Sequence, residues 1–245
     1  MYGWLFKSNR KGAADTRIRI LLEEEAFGRL HQAWEALGYP FPTLVPSLAT
    51  AIGSSADRPQ ALAELIGIIL NDGVRLPAVR VDAVHFAEDT PFETHMVRAP
   101  AEGERLLPHE VAAALRTALV DVGENGTARR IAGAFHGPDG APLPVGGKTG
   151  TGDEMADRFA PGSAAAREKE VSRSAAFVFF IGKRFFGVIT AFVPGDRVGM
   201  FKFTSALPTQ VLKALAPTLQ PLIDDEPRRP TTIPDVVATT APSIH

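Results

Sequence analysis

Apolar residues recur at steps of three and four along several stretches of the chain, the spacing that places them on one face of a helix. The predicted helices are Thr16–Leu37, Asp57–Leu70, Pro108–Val122 and Leu207–Ile223. We expect Ile18 and Leu30 to belong to a buried stripe of the first helix, and Ile66 and Ile69 to a core face of the second. Pro217 lacks the amide hydrogen that an inner helical turn uses, so we expect a kink or an end of the last helix there.

Shorter runs rich in Val, Ile and Phe alternate with turn residues and predict strands. These runs are Ala78–Phe86, Phe92–Arg98, Leu143–Thr151, Ala175–Ile181 and Phe185–Val193. The last two are joined by Gly182, Lys183 and Arg184, which is the strongest hairpin signal in the chain. Helices separated along the chain from mainly antiparallel strands are typical of an α+β domain. The proline-rich polar sequence from Asp224 onward predicts a disordered tail.

The composition is that of an ordinary globular protein. The chain has 245 residues with 26 basic and 28 acidic side chains, a formal net charge of −2, and 45% apolar residues. Because nonspecific binding to phosphates needs an excess of Lys and Arg, we expect no nucleic-acid partner. The chain has no cysteine and its six histidines show no metal-ligand spacing. We therefore predict no metal and no cofactor.

No stretch of the sequence predicts a membrane segment. The most apolar one, Ala175–Val193, contains Lys183 and Arg184 and falls short of the about 20 apolar residues that a spanning helix needs. At the N-terminus, apolar residues 2–6 precede the first basic residues, the reverse of the order in an export signal. We expect neither a membrane anchor nor an export signal in this chain.

The segment Gly147–Thr151 carries the clearest candidate chemistry and allows two interpretations. One is a phosphate-binding P-loop, but the first glycine of that motif would fall at position 142, which is Pro142. The other is an extended strand with Thr149 and Thr151 on one face and Lys148 and Gly150 on the other. Two hydroxyl groups beside a positive charge could orient a peptide's terminal carboxylate, and Gly150 would let a peptide backbone pair with a free sheet edge.

Lys148, Thr149, Gly150 and Thr151, followed by a hairpin and a C-terminal helix, resemble the transpeptidase domain of penicillin-binding proteins. Further similarity to that family lies in Pro46–Gly53, Ala61–Leu65, Ile69–Val74 and Glu124–Arg130. The resemblance extends from about Val45 to Gln220. It implies a partial fold of the penicillin-binding-protein and β-lactamase kind, an antiparallel sheet with a helical lobe. Residues 1–223 would form this partial domain, with 1–44 as a helical lead-in and 224–245 as the tail.

By this resemblance, Lys148, Thr149 and Gly150 would bind the carboxylate of a peptidoglycan stem peptide or of a β-lactam. The backbone amide of Thr151 would supply one of two oxyanion-hole donors, a kind of donor worth about 2.7–4 kcal/mol in the transition state. The other donor would come from the nucleophilic serine of a Ser-x-x-Lys motif, which a Ser-x-Asn motif assists in the family.

The sequence departs from the family at those two motifs. It contains no Ser-x-Asn, and the nearest spelling, Ser55-Ala56-Asp57, follows the family-like loop and suits a helix cap. A Ser-x-x-Lys does occur from Ser8 to Lys11, but it precedes Gly12 and lacks an apolar helix face. We expect a chain that begins partway into the domain, that binds weakly without turnover, and whose partner would be the missing N-terminal half of a parent protein.

Three functions stay open at the level of sequence. The first is a fragment of a D,D-transpeptidase that crosslinks peptidoglycan, with the family's location at the outer face of the cytoplasmic membrane or in the periplasm. The second is a noncatalytic module that uses the same fold to hold a peptide or a partner. The third, nucleotide binding at Gly147–Thr151, predicts that ATP raises the melting temperature.

Overall fold

The computed structural model describes residues 12–36, 44–48, 50, 58–81, 83–99, 102–159 and 166–225. Several sequence features lie outside these ranges. They are the Ser8–Lys11 motif, the Ser55–Asp57 segment and residues 226–245 of the predicted tail.

The described chain contains helices and small antiparallel sheets, which confirms the predicted α+β class. The helices are α1 (Ala13–Ala36), α2 (Pro59–Leu70), α3 (His109–Glu124) and α4 (Ala206–Asp224). The strands are β1 (Val74–Arg75), β2 (Ala83–Phe86), β3 (Thr94–Val97), β4 (Glu104–Arg105), β5 (Val145–Phe159), β6 (Ala166–Ile181) and β7 (Phe185–Pro194). Short 3-10 helices cover Arg129–Ile131 and Gly195–Met200.

The main sheet is antiparallel and has the order β5-β6-β7. The predicted hairpin is confirmed as β6 and β7, and Gly182 turns the chain between them with a φ of 59° that a side chain would disfavour. Within the described residues, β5 pairs with β6 alone, so its other edge has no strand beside it.

Side chains of β6 alternate between two packed faces of the sheet, as a period of two requires. On one face, Phe177 and Phe179 pack with residues from the 3-10 helix and α4, among them Ile131 and Leu212. On the other face, Val178 and Phe180 pack with residues of α2, among them Ile66 and Ile69. The predicted core face of α2 is therefore confirmed. Leu119 of α3 packs against the same second cluster.

Two helical glycines allow helices to lie close to the sheet. A Cβ atom at Gly123 of α3 would overlap the carbonyl oxygen of Val145, the first residue of β5. A Cβ atom at Gly67 of α2 would lie 2.8 Å from the ring of Phe186 in β7. The contact at Gly123 fixes where β5 begins, three residues before Lys148.

The expected buried stripe of α1 is wrong. No described residue of this helix is buried, and Ile18 and Leu30 are 43% and 45% exposed. Ile20 is also exposed. It lies two residues after Ile18, so in a helix with 3.6 residues per turn its side chain points about 200° away from that of Ile18. The apolar residues of α1 therefore lie on more than one side, so that a single packing face does not form.

Other boundaries also differ from the predictions. Helix α4 continues through both Pro217 and Pro221, so of the two outcomes expected at Pro217, a kink or an end, the end is wrong. The first predicted strand pair is shorter than expected, because β2 and β3 each have only four residues, all of them exposed. Among the described residues, no helix has the length and apolar character needed to span a membrane.

Candidate functional site

The Lys-Thr-Gly-Thr segment lies inside β5, as the sequence predicts. Lys148, Thr149, Gly150 and Thr151 face Val178, Phe177, Ala176 and Ala175 of β6 in the antiparallel register. Thr149 and Thr151 share the sheet face of Phe177, whereas Lys148 and Gly150 share the opposite face. The segment therefore presents two hydroxyl groups on one face and an amine on the other, along a strand at the edge of the described sheet.

The segment that follows α3 contacts Thr149 and fixes its side chain. Its hydroxyl lies 2.6 Å from the hydroxyl of Thr127, and the residue is only 7% exposed. α3 ends at Glu124, two residues beyond the predicted end, and Thr127 follows it beside the strand. A hydroxyl has one hydrogen and two acceptor sites. If Thr127 donates to Thr149, the Thr149 hydrogen can be donated onward.

Thr151 is held by the start of α4. The backbone amide of Ser205, the residue before that helix, donates to Thr151 Oγ1 at 2.8 Å. This bond occupies an acceptor site of the hydroxyl and leaves its hydrogen available. The Thr151 hydroxyl is therefore fixed in position while keeping a donor for an external acceptor, and Thr151 itself is exposed.

Lys148 and Gly150 provide charge and access. Lys148 Nζ donates to the carbonyl oxygen of Thr149 at 2.9 Å, which uses one of its three hydrogens. This contact holds the amine against its own strand. At Gly150 no described atom lies within 4 Å of where a Cβ atom would stand, so the sheet face is open there.

These groups suit an anion with an extended backbone attached, because the Lys148 amine, although its side chain leaves the strand on the opposite face, reaches the Thr149 carbonyl oxygen of the same strand. The lysine supplies a positive charge, Thr151 supplies a positioned donor, and the free strand edge supplies backbone hydrogen-bonding groups. Hydrogen bonds to a charged partner contribute about 1.5–3 kcal/mol each. The described residues of this surface include no nucleophilic serine paired with a lysine; the Ser8–Lys11 motif lies outside the described ranges.

Sequence reasoning missed Thr127 and Ser205, the residues that position the two threonines. A signal for Thr127 was present, because it belongs to the family-like passage Glu124–Arg130. For Ser205 the signal was weaker: a serine next to the start of a helix is usually explained as a cap, and here it makes no side-chain cap bond.

No protein-family model and no curated protein matches the sequence. Solved structures do align with it. The penicillin-binding protein PonA1 from Mycobacterium tuberculosis is 17% identical with a TM-score of 0.48, over 81% of this chain and 51% of that chain. Penicillin-binding protein A from M. tuberculosis, in an imipenem acyl-enzyme complex, is 19% identical with a TM-score of 0.46, over 76% and 41%.

The transpeptidase (TP) domain of Burkholderia pseudomallei penicillin-binding protein 3 is 20% identical with a TM-score of 0.41, over 69% of this chain and 44% of that chain. This chain spans about half or less of the length of each of the three. Since all three TM-scores are below 0.5, we base the function on this chain's own residues. The resemblance to penicillin-binding proteins that the motifs indicate is also found among solved structures, at low identity.

Proposed function

We propose that this chain is part of a penicillin-binding D,D-transpeptidase and binds the carboxylate of a peptidoglycan stem peptide or of a β-lactam along the free edge of β5. The observation that carries the proposal is the bond from the Ser205 amide to Thr151 Oγ1, because it fixes the hydroxyl and leaves its hydrogen to donate. Lys148, Thr149, Gly150 and Thr151 would form the binding strand.

Each residue has a distinct role in this proposal. Lys148 Nζ keeps two hydrogens for a carboxylate after its bond to the Thr149 carbonyl. Thr151 donates its hydroxyl hydrogen to the carboxylate, and Thr149 donates as well when Thr127 donates to it. The edge of β5 that has no strand beside it lets the ligand backbone pair with β5 as an added strand, and Gly150 places no side chain on the face there. In the complete reaction of the family, the backbone amide of Thr151 would stabilise the oxyanion.

The proposal assigns binding to β5 and assigns acyl transfer to no residue of this chain. Removing the nucleophile of a serine acyl-transferring enzyme costs about 10⁶-fold in rate and leaves about 10³–10⁴-fold over water. Because the sequence contains no Ser-x-Asn, we expect reversible binding without detectable turnover. By the same resemblance, the site of action would be the periplasm or the outer face of the cytoplasmic membrane.

A ligand-observed NMR titration tests the binding. The ligand is a peptide ending in D-Ala-D-Ala, and the matched control is the same peptide with an amidated C-terminus. We expect the free acid to bind and the amide to bind at least about 10-fold more weakly, since one charge-assisted hydrogen bond of about 1.5–3 kcal/mol corresponds to about 10- to 150-fold in Kd.

Variants separate the roles of the strand. Lys148→Met and Thr151→Val should each weaken binding of the free acid by about 10-fold or more. Lys183→Met, in the hairpin turn between β6 and β7, is the matched control and should bind as the unchanged chain does. Circular dichroism monitors folding of each variant. Equal binding of the acid and the amide, or unchanged binding by Lys148→Met, would contradict the proposal.

The second candidate is a noncatalytic peptide-binding or assembly module on the same fold, and the missing Ser-x-Asn favours it. Native mass spectrometry of the purified chain distinguishes the two candidates: a stable, soluble monomer with defined melting favours a complete module, whereas aggregation favours a fragment. Both candidates predict reversible binding of fluorescent penicillin and no covalent label on a denaturing gel. A covalent adduct at Ser8 would show that the chain is catalytic.

A further inference from the structure

The hairpin of β2 and β3 brings together three side chains that are potential metal ligands. His85 and His95 lie directly opposite each other in the antiparallel register. Glu93 precedes His95 by two residues, and residues two apart on an extended chain project to the same side. The hairpin register therefore collects two imidazoles and one carboxylate at one place, which no local sequence spacing indicates.

The three groups converge on one point. Both imidazoles direct Nε2 at the same carboxylate oxygen, Oε1 of Glu93, at 2.7 Å from His85 and 2.9 Å from His95. The two rings are stacked, with centroids 3.8 Å apart and an angle of 20° between their planes. One ligand atom from each of the three residues lies within 4.8 Å of the other two.

We infer that His85, Glu93 and His95 form a binding site for a divalent transition-metal ion, with Zn²⁺ as the ion that this ligand set fits best. Zinc binds imidazole nitrogen at about 2.0–2.1 Å and carboxylate oxygen at about 2.0–2.2 Å in a tetrahedral arrangement, so its ligand atoms stand about 3.3 Å apart. The observed separations of 2.7 and 2.9 Å need to open by only a few tenths of an ångström.

The ligand chemistry favours a transition metal over Mg²⁺ or Ca²⁺. Imidazole suits Zn²⁺, Cu²⁺ and Ni²⁺, whereas Mg²⁺ and Ca²⁺ select oxygen ligands. Two histidines and one glutamate supply three positions of a tetrahedral site and leave the fourth to water or to another ligand.

A metal would also stabilise a hairpin that pairs with no further strand among the described residues. All residues of β2 and β3 are exposed, and β2 and β3 form a two-stranded sheet of their own. Isolated two-stranded hairpins are marginally stable in water. Because an ion held by both strands binds only the paired arrangement, its binding free energy adds to the stability of the hairpin.

Titration of the full-length chain with Zn²⁺ by isothermal calorimetry tests the site. We expect one saturable Zn²⁺ site per chain and no comparable site for Mg²⁺. His95→Ala and Glu93→Gln should each weaken zinc binding by more than about 10-fold. Even the loss of a residue that only hydrogen-bonds to a metal ligand costs about 10- to 100-fold in affinity. Glu93→Gln keeps the shape of the side chain and removes its charge. His136→Ala, an exposed histidine outside the hairpin, is the matched control and should bind zinc as the unchanged chain does.

X-ray absorption at the zinc edge supplies a second readout that does not depend on affinity. Two imidazole ligands and one or two oxygen ligands at about 2.0–2.2 Å are expected. Absence of a saturable site, or equal affinity in the His95→Ala, Glu93→Gln and His136→Ala variants, would overturn the inference and leave the cluster as a hydrogen-bonded triad alone. Neither result bears on peptide binding at β5, because the two sites share no residue.

Discussion

Replacing three helical glycines by alanine tests whether close helix-to-sheet contacts fix the position of β5. Gly123 of α3 faces the carbonyl oxygen of Val145 at the start of β5, and Gly67 of α2 faces the ring of Phe186. Gly28 of α1 has nothing within 4 Å of its Cβ position. All three lie inside helices, so the intrinsic gain from alanine, about 0.5–1 kcal/mol, is common to them.

The space around each glycine decides the net effect. Overpacking costs about 1–3 kcal/mol, and a contact with backbone belongs at the upper end because a carbonyl moves only with its strand. Gly123→Ala should therefore lower the free energy of unfolding by about 2 kcal/mol net. At Gly67 the obstacle is the edge of a ring 2.8 Å away, which can move, so the cost and the gain nearly cancel. Gly28→Ala meets no obstacle and should raise the helicity of α1.

Thermal and urea unfolding, followed by circular dichroism, give the comparison. A change of about 2 kcal/mol corresponds to about 4–8 °C in Tm for a chain of this size. We expect Tm to fall in Gly123→Ala, to change little in Gly67→Ala and to stay equal or rise in Gly28→Ala. If Gly123→Ala is as stable as Gly28→Ala, α3 does not pack on β5 as closely as described. The same variant should weaken peptide binding, because β5 begins at the displaced Val145.

Two further predictions concern stability. The hydrogen bond from Arg116, with its charge and those of His109 and Arg105, holds the pKa of Asp72 below its ordinary value of 3.8. A carboxyl whose pKa is lower when folded stabilises the protein above the unfolded value, and this contribution is lost as pH falls through the folded value. The melting temperature of Asp72→Asn should thus be lower than that of the unchanged chain at pH 7, and the two should converge below pH 3.8. A constant difference across this pH range would contradict the pairing of Asp72 with Arg116. Pro217→Ala restores an amide donor inside α4 and should raise the midpoint of urea unfolding. Proline inside a helix costs about 3 kcal/mol, whereas its restriction of the unfolded chain returns only about 1 kcal/mol. An unchanged or lower midpoint would show that the helix accommodates the proline without this cost.

Much of the fold could be predicted from local sequence because local hydrogen bonding and side-chain periodicity decide it. The Phe- and Val-rich runs around Gly182 specify the hairpin of β6 and β7. Pro59 stands in the first turn of α2, where its missing amide hydrogen is not needed. The alternation of side chains along β5 likewise places Thr149 and Thr151 on one face, whatever the strand packs against. Each of these features depends on residues that are close together in the sequence.

Only the tertiary structure decided which distant residues meet. Thr149 contacts Thr127 at a separation of 22 residues, and Thr151 accepts the Ser205 amide at a separation of 54. His85, Glu93 and His95 converge because two short strands pair in one register, and a shift by one residue would direct His85 to the opposite face. The exposure of α1 is a different case, because its exposed apolar residues lie on more than one side of the helix and form no single packing face. Sequence patterns therefore determined the elements and the motif on β5, whereas long-range packing and register determined the neighbours that give the motif and the histidine cluster their chemistry.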